Sequence, residues 1–269
     1  MNYEHWIAHF KANKLDRPEP DWSAPFSMPE ETRRLLAKSI AEYQLGDGGG
    51  ECRLVARDAE TFRGSAKAAR IVVDCWFDEE REHSRLLACA VERIGGALID
   101  DTFAFRMFYA CRRALGVQFE MLVLLIVEIA STGYYRSIRR HVGDEPLEAM
   151  CKLILRDEAR HIDFHRDRLA AVYPCGFGAV RAWAVRALAN ACALFLWFGH
   201  GRCLRAIGGT RAELLHHVRG GVASFLSELA ARTGATTAAG APGALGKKSP
   251  KGIPGGGFAE VWNPHRRSR

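Results

Sequence analysis

Residues 79–83 read Glu-Glu-Arg-Glu-His, and residues 157–161 read Asp-Glu-Ala-Arg-His. Both stretches contain the pattern Glu-x-x-His, as Glu80 with His83 and Glu158 with His161. Side chains three residues apart lie on the same face of an α-helix, so each pair can present one carboxylate and one imidazole to the same ion. A single pair is common on a solvated helix surface, whereas the repeat indicates two helices that contribute to a shared metal site.

Each Glu-x-x-His pair is preceded by a helical segment that carries a further carboxylate. Glu128 lies within a long apolar run, where a buried charge is costly unless it is paired or binds a metal. It precedes Glu158 by 30 residues, and Glu51 precedes Glu80 by 29 residues. Asp47 lies one turn before Glu51 and continues an apolar stripe, so it is the alternative to Glu51. The chain therefore predicts two similar helical hairpins, each with one carboxylate followed by Glu-x-x-His.

This pattern resembles that of the ferritin-like di-iron or di-manganese carboxylate proteins, in which two helices each supply a Glu and two others each supply Glu-x-x-His. The resemblance covers residues 30–172 and implies an antiparallel four-helix bundle with additional C-terminal helices. It implies two iron ions as cofactors, with a manganese–iron pair or two manganese ions as the alternative. The ligands it implies are Glu51, Glu80, His83, Glu128, Glu158 and His161, with Glu80 and Glu158 bridging the two ions.

Helical spacing also places side chains around these ligands. Trp76 and Phe77 lie one turn before the first Glu-x-x-His, and Tyr135 lies two turns after the buried Glu. These aromatic residues are candidates for the wall of a substrate pocket, with core packing as the alternative. Asp157 and His165 are candidates to hydrogen-bond the ligands without contacting the ions. A carboxylate such as Asp157 in contact with a ligating His fixes the tautomer of that His.

The sequence divides into four segments. Residues 1–26 contain three prolines and are expected to form an irregular arm. Residues 27–175 are expected to form the four-helix metal-binding bundle, and residues 176–231 two further helices. Residues 232–269 are rich in Gly, Pro and basic side chains, and they predict a flexible basic tail. No stretch predicts a strand, so the expected fold class is all-α.

Charge and cysteine content make several classes of function less favoured. The net charge is +7, but residues 231–269 carry seven basic residues against Glu260, so the rest of the chain is nearly neutral. Such a body makes nucleic acid an unfavoured partner. The eight cysteines include no CxxC pair, which favours reduced thiols in a cytoplasmic protein over a zinc ribbon or a disulfide framework.

The N-terminus lacks the pattern of a signal peptide. The most apolar run, residues 187–199, is shorter than the roughly 20 residues that cross a bilayer, so no transmembrane span is expected. We expect this run to form a buried helix or a homodimer contact.

The expected function is that of a non-haem di-iron oxygenase or oxidase, which uses O₂ and an electron donor to oxidise a small organic substrate. Three alternatives remain open: a ferroxidase or iron-handling protein, a tRNA-modifying hydroxylase, and a metal-free bundle with a structural role. The pattern of ligands does not choose among them, since open positions on a carboxylate and imidazole site suit oxygen chemistry of several kinds.

Overall fold

The computed structural model describes residues 1–48, 66–103, 105–107, 110 and 117–234. These residues form helices and their connections without any β-strand among them, so the prediction of an all-α fold is confirmed. The delimited helices, numbered here in chain order, are α1 (Tyr3–Asn13), α2 (Glu30–Gly48), α3 (Ala66–Arg93), α4 (Val117–His141), α5 (Glu145–Val172), α6 (Ala179–Ala206) and α7 (Arg211–Thr233).

Local sequence explains where several of these helices begin and end. The side chain of Asp144 caps α5 by accepting a hydrogen bond from the backbone N–H of Leu147 at 3.1 Å. Thr210 caps α7 in the same way, through the backbone N–H of Glu213 at 3.1 Å. Helix α7 ends at Gly234, whose φ of 65° is readily adopted by glycine. Helices α6 and α7 are the two further helices predicted after residue 175.

The expectation of an irregular arm over residues 1–26 is wrong for its first half, because Tyr3–Asn13 forms α1. The side chain of Asn2 caps this helix, and all three prolines of the segment follow it. Trp6 and Phe10 are buried against α3 and α5. The apolar face of this short helix therefore determines its structure, and the prolines act only on the chain that leaves it.

The helices that carry the sequence motifs are neighbours. Helix α2 packs against α3, α4 packs against α5, and α3 contacts α5. Glu79 of α3 contacts His161 of α5, whereas His83, one turn further along α3, contacts Asp157, one turn earlier on α5. Helices α3 and α5 therefore run antiparallel, and this register places the two Glu-x-x-His motifs opposite each other.

Two apolar clusters enclose the level of these motifs. The smaller cluster contains Trp6 and Phe10 of α1 together with residues from the first part of α3. The larger cluster contains the last part of α3 and the apolar faces of α2, α4, α6 and α7. On α3, the last buried residue of the smaller cluster is Trp76 and the first buried residue of the larger cluster is Leu86. The polar stretch 79–83 therefore lies between the two clusters.

Helices α6 and α7 cover α4. A Cβ atom added at Gly221 of α7 would lie 2.9 Å from Cγ2 of Ile129 on α4, so the absence of a side chain allows the two helices to approach closely. Helix α6 is tied to α2 and α4 through Ser39, whose hydroxyl lies 2.7 Å from Tyr134 Oη and 2.9 Å from His200 Nδ1.

Two segments, Phe119–His141 of α4 and Ala179–Ala206 of α6, are long and apolar enough to cross a membrane by length and composition. The most apolar window of the first is 72% buried within the protein, and that of the second is 22% buried. On α6, Phe195 and Phe198 are 61% and 83% exposed. Of the two alternatives expected for residues 187–199, the buried helix is therefore wrong, and the homodimer contact stays a prediction.

Candidate metal centre

The histidines of the two motifs face each other with the same orientation. The Nε2 atom of His83 lies 3.1 Å from Oδ2 of Asp157, and the Nε2 atom of His161 lies 2.9 Å from Oε2 of Glu79. Both imidazoles are fully buried. Because each Nε2–H is held by a carboxylate, each Nδ1 atom is left to face the space between α3 and α5. A carboxylate behind the imidazole is the arrangement that fixes the tautomer of a metal-ligating histidine.

A residue outside the two hairpins joins the two supporting carboxylates. Asn13, the last residue of α1, donates from Nδ2 to Glu79 at 2.6 Å and to Asp157 at 2.8 Å. Arg17, just after α1, places Nη1 2.7 Å from Asp157. The sequence analysis missed both residues because they lie in the segment expected to be irregular. The one available signal was that these polar residues directly follow the apolar face of α1.

The glutamates of the two motifs lie between the two histidines. Glu80 places Oε2 3.6 Å from Nδ1 of His83 and Oε1 3.0 Å from Nδ1 of His161. Glu158 does the same, with Oε1 3.8 Å from His83 and Oε2 3.7 Å from His161. Each carboxylate therefore offers one oxygen to each side of the site, which is the placement that a bridging ligand requires.

The carboxylate from α2 is provided by Asp47 among the described residues. One oxygen of Asp47, one of Glu80 and one nitrogen of His83 lie within 4.8 Å of one another. Glu51, predicted as the ligand from this helix, lies outside the described residues. Tyr135, predicted to wall the pocket, instead donates its hydroxyl to Asp47 Oδ2 at 3.2 Å. Its seven-residue separation from Glu128 places it about 10 Å further along α4, where α2 faces it.

The second group of converging ligand atoms belongs to Glu80, Glu128 and His161, again within 4.8 Å of one another. Glu128 also lies 3.1 Å, through Oε1, from Nε2 of His165. Arg168 lies 3.3 Å from the other nitrogen of His165 and donates to it, so Nε2 carries the hydrogen and donates to Glu128. His165 therefore orients Glu128 in this structure.

The electrostatics of the site call for added positive charge. Burial raises the pKa of Asp47 and Glu128 well above that of an ordinary carboxyl group, and it also raises the pKa of Glu158. Burial opposes protonation of His83, but its hydrogen bond to Asp157 and the nearby carboxylate of Glu80 outweigh burial and raise the pKa of His83 to about 10. The buried carboxylates thus hold protons on the imidazoles when no other cation compensates them.

Several atoms that face the site lack hydrogen-bond partners among the described residues. They are His83 Nδ1, His161 Nδ1, Glu128 Oε2 and Glu158 Oε2, and all are buried. An unsatisfied buried polar atom costs about 1–3 kcal/mol, so the convergence of four such atoms needs a ligand that satisfies them together. Carboxylate oxygens and imidazole nitrogens in this arrangement fit a pair of divalent first-row metal ions.

No protein-family model, no curated protein and no solved structure matches the chain.

A cavity of about 240 Å³ opens beside these ligands. Trp76 and Phe77, the candidates for a pocket wall, line this cavity, and Trp76 also donates from Nε1 to Oε1 of Glu80 at 3.0 Å. Apolar and aromatic side chains form most of the rest of the wall, together with the ligand carboxylates, Glu42, Ser131 and His200. No Arg or Lys occurs among the described residues of the lining. The described part of the wall therefore accommodates a small apolar molecule and holds no Arg or Lys side chain that could pair with an anionic one.

Proposed function

We propose that this protein is a ferritin-like di-metal carboxylate oxygenase or oxidase that acts on a small, largely apolar organic substrate. The observation that carries the proposal is the pair of three-ligand groups that share Glu80, beside an apolar cavity. Two iron ions are the proposed cofactors, since hard carboxylates with imidazoles and open positions suit iron and oxygen chemistry.

The proposed ligand set assigns each ion its own half of the site. Asp47 and His83 would hold one ion, Glu128 and His161 would hold the other, and Glu80 and Glu158 would bridge them. When bound, the ions supply the redox chemistry by which O₂ is reduced. Insertion of one oxygen atom into a substrate C–H or N–H bond also consumes two electrons and two protons, which an external donor provides, and it releases water.

The protein's own contribution is to orient these ligands and to exclude water. Asp157 and Glu79 accept from Nε2 of the two imidazoles, which would leave each Nδ1 lone pair available to hold an ion. Trp76 fixes one bridging carboxylate and His165 fixes Glu128. The apolar cavity positions the substrate next to the ligands and keeps bulk water from the reacting atoms.

Metal content tests the proposal directly. We expect two iron ions per chain after expression in iron-supplemented medium, measured by inductively coupled plasma mass spectrometry. Glu158→Gln should lower this content because a bridging carboxylate is lost, whereas Glu92→Gln, an exposed substitution on α3, should retain it. A wild-type protein without iron, together with a stabilising effect of Glu128→Leu, would favour the metal-free structural alternative.

Two substitutions assign the ligand from α2. If Asp47 binds the ion next to His83, Asp47→Asn reduces the iron content and Glu51→Gln does not. The opposite result would assign the ligand role to Glu51, in agreement with the spacing of the second hairpin.

Oxygen consumption by the ferrous protein separates the enzymatic alternatives. An oxygenase or oxidase consumes O₂ continuously when both an electron donor and a suitable apolar substrate are present. A ferroxidase consumes O₂ in proportion to added Fe(II) and accumulates many irons per particle as mineral, so this outcome would replace the oxygenase proposal.

A further inference from the structure

One side of α6 is apolar and exposed along most of its length. We name it the α6 face; it consists of Val180, Trp183, Ala184, Ala187, Ala191, Leu194, Phe195 and Phe198. These residues follow a three- and four-residue spacing and extend over about 27 Å of helix. Trp183 and Phe198 are 69% and 83% exposed. A contiguous apolar surface of this kind marks a contact with another protein or with a membrane.

The opposite side of α6 is packed on the protein. Val185, Ala189, Ala193 and Leu196 are buried, and α6 contacts α2, α4 and α7. Although Ala179–Ala206 is long and apolar enough to cross a membrane, a helix that is fixed along one side to its own domain cannot be surrounded by lipid. Such a helix can instead lie on a lipid surface, with its apolar face inserted at the level of the headgroups.

Charge on α6 has one sign and is confined to the two ends of the helix. Arg181 and Arg186 lie near its start, Arg202 and Arg205 lie near its end, and all four are exposed. The helix contains no Asp or Glu, and residues 187–201 contain no Arg or Lys. An uncharged apolar face between basic ends is the pattern of a helix that lies on an anionic membrane.

The contacts of these arginines leave most of their charge uncompensated. The guanidinium groups of Arg181 and Arg205 lie over aromatic rings, 4.3 Å and 5.2 Å from the nearest ring centroids. A ring orients a cation without neutralising it. Arg202 lies 4.0 Å from Glu31 of α2, but Glu31 also pairs with Arg34 at 3.1 Å. Both ends of α6 therefore retain positive charge that can pair with anionic headgroups.

The α6 face adjoins the cavity beside the proposed metal centre. Phe195 is 61% exposed and also lines that cavity, and the buried Leu196 continues the same wall. Thr102 and Phe105 contribute to the wall as well, and Phe103, which lies between them in sequence, is 72% exposed. Exposed aromatic side chains thus adjoin the cavity on two separate segments of the chain. A lipid surface that covers the α6 face would lie next to the cavity.

We propose that the α6 face docks on an anionic lipid surface. Its apolar side chains insert at the level of the headgroups, and the arginines at both ends pair with lipid phosphates. Docking would let a lipid-dissolved apolar substrate reach the cavity without crossing water. This route for the substrate rests on the proposed function, whereas the lipid contact itself does not.

The distribution of charge favours lipid over a second copy of the chain as the occupant of this face. A twofold pair of α6 helices, whether parallel or antiparallel, brings basic ends against basic ends, with no acidic residue of α6 to pair with them. Like charges that meet across an interface weaken it. We therefore expect the predicted homodimer contact to be weaker than the lipid contact, and any dimer to dissociate when α6 enters the lipid.

Co-sedimentation of the full chain with vesicles tests the proposal. We expect saturable binding to vesicles of equimolar phosphatidylcholine and phosphatidylglycerol, and affinity about tenfold or more lower for phosphatidylcholine alone. Trp183→Ser/Phe198→Ser should lower the affinity for the anionic vesicles by about tenfold or more, because two large apolar side chains are lost. Both side chains are exposed and neither lines the cavity, so the fold should be retained. Arg202→Ala/Arg205→Ala should lower the affinity by about tenfold, because two cations are lost.

Matched controls separate the α6 face from general attraction to lipid. Leu15→Ser removes an exposed apolar side chain elsewhere, and Arg70→Ala/Arg160→Ala removes two exposed arginines from α3 and α5. Both variants should bind the anionic vesicles as the wild type does. Glu158→Gln, which removes a proposed metal ligand, should also bind them as the wild type does, so this experiment and the measurement of iron can fail separately.

Several outcomes would overturn the proposal. They include absence of binding, equal binding to both kinds of vesicle, and an equal loss in the control variants. If Lys247→Ala/Lys248→Ala/Lys251→Ala abolishes binding while Trp183→Ser/Phe198→Ser binds as the wild type does, the C-terminal segment contacts the lipid and α6 does not. If the wild type forms a stable dimer that does not bind vesicles, and Trp183→Ser/Phe198→Ser dissociates it, the α6 face is a subunit interface.

Discussion

The substitution Glu79→Gln isolates the support of His161, one histidine of the proposed metal centre. Glu79 is 4% exposed, accepts from Asn13 at 2.6 Å, and lies 2.9 Å from His161 Nε2. Both partners are donors when His161 turns Nδ1 toward an ion. Glutamine keeps the shape of the side chain but offers one acceptor oxygen instead of two, so one of the two donors must face an NH₂ group.

The expected magnitude follows from what this carboxylate does. Loss of a partner that orients a metal-ligating histidine lowers metal affinity by about 10–100-fold, which corresponds to about 1.4–2.7 kcal/mol. The effect should fall on the ion that Glu128 and His161 are proposed to hold. The other ion should be less affected, because the Asp157 contact that supports His83 is unchanged. Glu79 is preferred to Asp157 for this test because Asp157 also pairs with the buried Arg17.

Anaerobic titration with Fe(II) in competition with a chromogenic chelator measures both affinities. Glu92→Gln, an exposed substitution on the same helix, is the control and should match the wild type. Circular dichroism should first establish that the variant is folded. A folded Glu79→Gln protein that binds both ions with wild-type affinity would refute the reasoning, because His161 then needs no carboxylate to act as a ligand.

Three further predictions concern the scaffold. Gly221→Ala should lower the melting temperature, at a cost of about 1–3 kcal/mol, because the new Cβ would lie 2.9 Å from Ile129. Gly220→Ala should raise the melting temperature, because no atom lies within 4 Å of its new Cβ. If calorimetry finds the two variants equally stable, the close packing of α7 on α4 is contradicted. Burial, together with the charge of Lys38, lowers the pKa of His200 to about 4, below its unfolded value of about 6.5, so stability is lost as the pH falls from 6.5 to 4. Between pH 6.5 and pH 4, His200→Asn should lose up to about 3 kcal/mol less unfolding free energy than the wild type, as measured by urea unfolding at the two pH values. If both proteins lose the same free energy, Glu42, 3.8 Å away, keeps His200 protonated in the folded state. Phe198→Ser should abolish concentration-dependent dimerisation in sedimentation experiments, while a wild-type chain that stays monomeric at high concentration would exclude the homodimer contact of α6.

The sequence predicted the parts of the site that follow a local rule. Glu-x-x-His spacing places two ligands on one helical face, and a charge within the apolar run around Glu128 has few stable alternatives to an inward, partnered position. These rules also predicted the helices on which the motifs lie. Tyr135 obeyed the same spacing rule but was misplaced, because spacing along α4 does not reveal that Asp47 of α2 would compete for its hydroxyl.

What the sequence could not predict depends on contacts between distant segments. Asn13 lies 66 residues before Glu79 and 144 before Asp157, so no local pattern connects them.

The position of Asn13 bears on how the two halves of the site are related. The hairpins repeat one arrangement, in which each histidine is supported by the residue that precedes the glutamate of the opposite motif: Glu79 for His161 and Asp157 for His83. A repeat of this kind has a pseudo-twofold relation, and a single amide that donates to both supporting carboxylates must lie close to its axis. A residue on the axis couples the two halves, because a shift of one carboxylate moves the donor that holds the other. Asn13→Ala should therefore lower the affinity for both ions, whereas Glu79→Gln should lower mainly the affinity for one. The ratio of the affinity losses at the two ions in Asn13→Ala measures whether α1 acts on the site as a whole.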